Sequence, residues 1–178
     1  MLSVQTVLEI VLLMMVTAAA MTDLARRRIP NILLLAGWVA ALPLHLLSIQ
    51  PGSALLGGLA GALCGLLVFL PLYLLRGMAA GDVKLMATVG LFVGPLEALQ
   101  VAVIACCVGG AMAFAIILYT GRLGHAFSNV GDLLRPLWMR ALGMPAVAEP
   151  MRHPSVGNMP YGLAIAVATI VLLYMHHA

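Results

Sequence analysis

Only 8% of the 178 residues are charged, 63% are hydrophobic, and the mean hydropathy is +1.12. Soluble domains carry about a quarter charged residues, so a water-soluble globular domain is excluded. The formal charge of +3 says less than the positions of the nine Lys and Arg and the six Asp and Glu.

The chain reads as an all-α polytopic membrane protein: a six-transmembrane-helix bundle with an interfacial amphipathic segment, forming a single membrane-embedded domain over 1–178. Apolar stretches fall at about 3–23, 31–49, 53–75, 77–94, 96–120 and 159–176. Each can cross a hydrocarbon core of about 30 Å at 1.5 Å per residue. The first stretch ends in "TAAA" like a signal peptide. It has no basic leading region, however, Glu9 interrupts it, and arginines follow it, so it reads as a retained signal-anchor helix. Pro30 opens the second helix where a missing N–H costs little, and Gln50-Pro51-Gly52-Ser53 is a turn. As one helix, residues 85–119 would run about 50 Å, too long for the bilayer. Gly94-Pro95 is therefore predicted to break the run, with Glu97 marking a polar surface beside the break.

Residues 121–152 form the longest polar connection. Leu123, Phe127, Val130, Leu134, Leu137 and Trp138 recur there at helical spacing among Arg122, Asp132 and Arg140. This pattern predicts a helix lying in the inner interface, interrupted near Pro136. Cys64, Cys106 and Cys107 lie inside apolar runs with no CxxC, and read as small packing residues, not metal ligands or disulfides.

Topology follows from the basic residues. With six spans and both termini outside, the inner loops hold Arg26, Arg27, Arg28, Arg76, Lys84, Arg122, Arg135, Arg140 and Arg152, all nine basic residues. If 85–119 were a single span, the four arginines of 122–152 would face outward. The positive-inside rule thus selects both the orientation and the extra break.

The same topology sorts the acids. Glu9 and Glu97 fall toward the outer face, while Asp132 and Glu149 fall in the inner loop, where a solvated carboxylate needs no explanation. Asp23, at the inner end of the first helix, and Asp82, about one turn into the fourth, share one membrane face. An ionisable group at membrane depth is a functional candidate by default. The plain alternatives are ion pairs, of Asp23 with Arg26 or Arg27 and of Asp82 with a neighbour such as Arg76. Lys84, two positions from Asp82, faces elsewhere on a helix and snorkels to the headgroups. Held close together and partly desolvated, the two carboxylates would share a proton. One could then draw a proton from water while the other protonates a carbonyl or leaving amine. Gly81, lacking Cβ, would let a substrate backbone approach. Two other classes use the same residues differently: a proton-coupled membrane transporter, or a non-catalytic assembly or scaffold protein with arginine-paired aspartates. No acidic or histidine ladder crosses the membrane to favour the transporter.

Three segments, "MTDLARRRIPN" (21–31), "AAGDVKLMA" (79–87) and "MPYGLAIA" (159–166), resemble in order and spacing the motifs of type IV prepilin peptidases. The resemblance covers essentially the whole chain and is nearest to the short peptidases of tight-adherence (Flp) pilus systems. It implies a GxGD-like intramembrane aspartic endopeptidase of the bacterial inner membrane. Such an enzyme removes the basic leader of a prepilin or pseudopilin substrate at the cytoplasmic face. It also implies Asp23 and Asp82 as the catalytic pair. Gly81 and Lys84 belong to the second motif, and Arg27, Pro30 and Asn31 to the first, shaping or lining the site. Besides the substrate, membrane lipid is the expected partner, with no nucleic acid, cofactor or metal. Larger family members also N-methylate the new pilin terminus and carry a cysteine-rich insertion. This chain has no such insertion, which argues against methyl transfer and a structural zinc. One position departs from the GxGD pattern: Ala79 stands for its first glycine and forbids a positive φ there.

Overall fold

The computed structural model describes residues 3–75, 77–120 and 160–177. Among these the chain is wholly helical, with six helices: α1 (Val4–Arg26), α2 (Asn31–Leu46), α3 (Pro51–Leu74), α4 (Ala80–Val93), α5 (Pro95–Thr120) and α6 (Tyr161–His177). The amphipathic segment expected at 121–152 lies outside the described residues. The chain divides into two compact units, residues 1–109 with 160–178, and residues 110–159. Of the second, the described part is the apolar end of α5, residues 110–120.

Local chemistry sets the helix boundaries. Ser3 caps α1, its Oγ accepting the Thr6 N–H at 3.1 Å and satisfying one of the donors a helix start leaves unpaired. Arg27 ends α1 in the left-handed region at φ 53°, and its N–H donates to the Asp23 carbonyl at 2.8 Å. Glycine is the usual residue at such a stop. Pro30, at φ −65°, directs the chain into α2, and Pro51 occupies the first turn of α3. Gly94, at φ 89°, separates α4 from α5, so the apolar stretch 85–119 forms two helices.

Three helices are long and apolar enough to cross a membrane, Val4–Arg26, Pro51–Leu74 and Pro95–Tyr119. Of the six spans expected from hydropathy, these three meet that length and composition, and the other three helices are shorter. α2 has 16 residues and α6 has 17, about 24–26 Å at 1.5 Å per residue. α4 has only 14, about 21 Å. Apolarity outruns helicity because Leu47, Ile49 and Met78 continue the hydrophobic runs outside the helices.

The short α4 is the buried axis of the first unit. From Asp82 to Phe92 every residue except Lys84 is buried, and α1, α2, α3 and α6 all pack against it. Against α3 the approach is backbone to backbone. A Cβ at Gly61 would overlap the Gly90 carbonyl oxygen, one at Gly90 would overlap that of Gly61, and one at Gly65 would overlap that of Met86. Lipid tails are as apolar as leucine, so such helices associate through close van der Waals contact, which small residues permit. α1 presents a stripe of Leu8, Leu12, Met15, Val16, Ala19 and Ala20 toward the interior, at the three- and four-residue spacing of one helix face. Asp23 is the next position on that stripe.

Elsewhere the surface is apolar: Ile32 is 73% exposed and Leu56 71%, as lipid-facing positions are. Cys106 and Cys107 are exposed along α5 and Cys64 is half-buried. The two adjacent cysteines therefore do not pack inside the chain as expected, because that part of α5 turns them outward. At the end of the bundle opposite Asp23, the His177 imidazole meets Glu9 Oε2 at 3.0 Å and His176 lies 3.8 Å from Glu97. Buried His45 there meets the Leu91 carbonyl at 2.8 Å.

Leucine at Gly61 should force α3 from α4 and cost about 1–3 kcal/mol, read as a lower melting temperature in detergent. Leucine at Gly57, where an added Cβ meets nothing within 4 Å, should melt like the parent protein.

Candidate active site

Three helix ends converge at one end of the first unit: the last turn of α1 and the first turns of α4 and α6. Asp82 is the third residue of α4, and its Oδ2 accepts the Ala79 N–H at 3.3 Å. This is the half of a capping box in which the acid reaches back to the residue before the helix; Ala79 has no oxygen for the other half. Ala79 itself adopts φ −81°, ψ 151°, an ordinary extended conformation. The departure from the GxGD pattern therefore requires no positive φ, and alanine fits without strain.

Asp23 is held from another helix. Its Oδ2 accepts the Gly162 N–H at 2.9 Å, a buried bond between residues 139 positions apart. Gly162 is the second residue of α6, so Asp23 on α1 satisfies one of the orphan donors of α6 and sits where the helix dipole favours negative charge. The approach is tight. A Cβ on Gly162 would stand 2.8 Å from Asp23 Oδ2 and 3.0 Å from its Cβ, so no larger residue fits without displacing the carboxylate. Gly162 is a site residue that the acidic positions alone did not point to; its only signal is the "MPYG" motif.

Both aspartates are buried, at 6% and 4% exposure, and their carboxylates lie within electrostatic reach of one another. Two further groups are within such reach, Arg27 of Asp23 and the Tyr161 hydroxyl of Asp82. The Tyr161 ring is also where a Cβ on Gly109 would make contact.

The other motif residues divide into two groups. Arg27 and Pro30 form the α1–α2 connection below Asp23. Gly81 faces Ile29, whose nearest atom would be 3.5 Å from an added Cβ, an ordinary van der Waals contact without overlap. Lys84 and Asn31 are brought to each other instead, Lys84 Nζ donating to Asn31 Oδ1 at 3.2 Å. Two helical positions turn the chain about 200°, so Lys84 lies on the side of α4 away from Asp82. Among the described residues no group of three or more His, Cys, Asp or Glu side chains could hold a metal ion. A cavity of about 950 Å³ lined by His45, Gln50 and Glu97 lies at the far end, remote from the aspartates.

An all-helical chain with membrane-length apolar helices and two buried carboxylates at helix ends is, by class, an integral membrane protein. The model of the type IV leader peptidase family matches residues 10–114, more than half of the 178, and the chain belongs to that family. The matched stretch contains both aspartates and stops before α6, so Gly162 lies outside it. Searches of curated proteins and of solved structures found no match.

Substituting alanine at Gly162 should loosen the α1–α6 joint, at a cost of about 1–3 kcal/mol. The measurement is thermal unfolding in detergent; an unchanged midpoint would mean that Asp23 moves aside without loss.

Proposed function

We propose that this chain is an aspartic endopeptidase of the bacterial inner membrane that removes the basic leader of Flp-type prepilins at the cytoplasmic face. Membership in the leader peptidase family supports hydrolysis of a leader peptide and a prepilin substrate. The observation that supports the aspartic assignment is that Asp23 and Asp82, 59 positions apart in sequence, are buried carboxylates at one end of the first unit, with the charge of Asp23 felt at Asp82. The orientation rests on the basic residues, with all six helices crossing the bilayer as a bundle and both termini outside.

In this mechanism the pair shares one proton. The ionised carboxylate takes a proton from a water molecule as its oxygen attacks the scissile carbonyl carbon. The protonated partner gives its proton to the carbonyl oxygen. Collapse of the tetrahedral intermediate then breaks the C–N bond, with the amine protonated by the group that received the water proton. Gly162 acts as a positioning residue, fixing one Asp23 oxygen so that the other faces the substrate. Gly81 leaves space for the peptide backbone, with Arg27 and Pro30 shaping the connection below the pair.

The transporter reading finds less support. Between the two ends of the bundle, the buried polar side chains among the described residues are Thr88 and Thr169, and their hydroxyls donate to the Lys84 and Ile165 carbonyls within their own helices. Neither can relay a proton by ionising.

The deciding experiment is co-expression with a pilin precursor. Asp23→Asn and Asp82→Asn should each abolish leader removal, a loss of at least about 10³-fold, with the membrane protein present at normal levels. Normal processing by both variants would end the aspartic reading. Leader removal by the purified parent protein should also be indifferent to a metal chelator, since a carboxylate pair needs only water; a chelator-sensitive rate would point to another chemistry.

A further inference from the structure

The side of α4 turned away from the aspartates carries a feature that the peptidase reading does not use. A groove of about 630 Å³ runs between α2, α3 and α4, walled by Ile32, Leu35, Trp38, Leu66 and Ala87, with Asn31 and Lys84 at one end. Its polar groups are already matched along most of its length. Trp38 Nε1 donates to Thr88 Oγ1 at 3.1 Å, and Thr88 Oγ1 donates to the Lys84 carbonyl at 2.9 Å. The exception is the mouth. Lys84 is exposed, its ammonium meets only the neutral Asn31 amide oxygen, and no carboxylate pairs with it among the described residues. Ile32 and Leu35, 73% and 59% exposed, form the rim and face the bilayer.

An apolar trough whose mouth holds a cation without a carboxylate partner among the described residues matches an amphiphile whose tail is hydrocarbon and whose head is an anion. The surrounding solvent supplies such a molecule. We infer that the α2–α3–α4 groove binds one anionic phospholipid, its acyl chain along Leu35, Trp38, Leu66 and Ala87 and its phosphate on the Lys84 ammonium. The lysine then has a charged partner, and its aliphatic stem covers the apolar wall. This inference stands independently of the peptidase reading.

Trp38 lines the groove and reports its occupant. The chain has two tryptophans, so Trp138→Phe leaves Trp38 as the single fluorophore. The full-length variant is reconstituted in phosphatidylcholine vesicles containing a minor fraction of acyl-brominated phosphatidylglycerol, or the same fraction of acyl-brominated phosphatidylcholine. Bromine quenches tryptophan on contact. The anionic lipid should quench Trp38 at about fivefold lower mole fraction, the preference expected of one lysine for a net-negative headgroup over one whose phosphate is neutralised by choline. Lys84→Gln should remove that preference, and Lys84→Arg should keep it. Equal quenching by the two headgroups, or a preference that survives Lys84→Gln, overturns the inference. So does quenching that ignores the headgroup and is relieved by a synthetic apolar helix bearing one acidic side chain, which would assign the groove to a peptide.

Discussion

A carboxylate taken out of water must be met by hydrogen-bond donors, and here backbone N–H groups at the starts of two helices meet both. The donors are groups that a helix start leaves unpaired in any case. Asp82 takes the one at Ala79, and Asp23 takes the one at Gly162. Neither Ala79 nor Pro160 has a side-chain oxygen to compete for these donors, so the acids serve as the caps. The arrangement ties three elements together: α4 begins where its own acid can reach back, and α6 begins where α1 ends.

Bringing these ends to one level requires α4 to lie inside the bundle, and glycine permits it. Gly61 and Gly65 on α3 face the backbone of α4 around Met86 and Gly90 with no side chain between them. The core that results is built around a helix of only 14 residues. Its polar beginning holds Asp82, and its far end is held by the buried contact of His45 with the Leu91 carbonyl. The middle of this short helix is enclosed by longer ones, and the polar groups near its two ends, Asp82 and the Leu91 carbonyl, have partners.

Much of this was legible before any coordinates. Gly94-Pro95 marked the division of the long apolar stretch, and the rarity of acids in so apolar a chain singled out Asp23 and Asp82. Even the inward face of α1 was readable, since Asp23 continues the spacing of Leu12, Val16 and Ala19. What was hidden has two causes. Hydropathy cannot distinguish a helix from an apolar turn, so Leu47, Ile49 and Met78 lengthened the expected spans. Nor can it tell inside from outside in a bilayer: Leu34 is buried while its neighbour Leu35 is exposed, and both are leucine. The remaining omissions are contacts between distant residues. The Asp23–Gly162 and Lys84–Asn31 bonds join residues 139 and 53 positions apart, and no local pattern announces them.

The two ends of α6 have a joint mechanical meaning. At its beginning Gly162 is bonded to Asp23 of α1, and at its finish His177 is bonded to Glu9 of the same helix. α1 and α6 are thus pinned at both supports, like parallel beams bolted at each end. An axial slip by one turn, about 5.4 Å, would break both bolts together, so the vertical register of these two helices is set twice over.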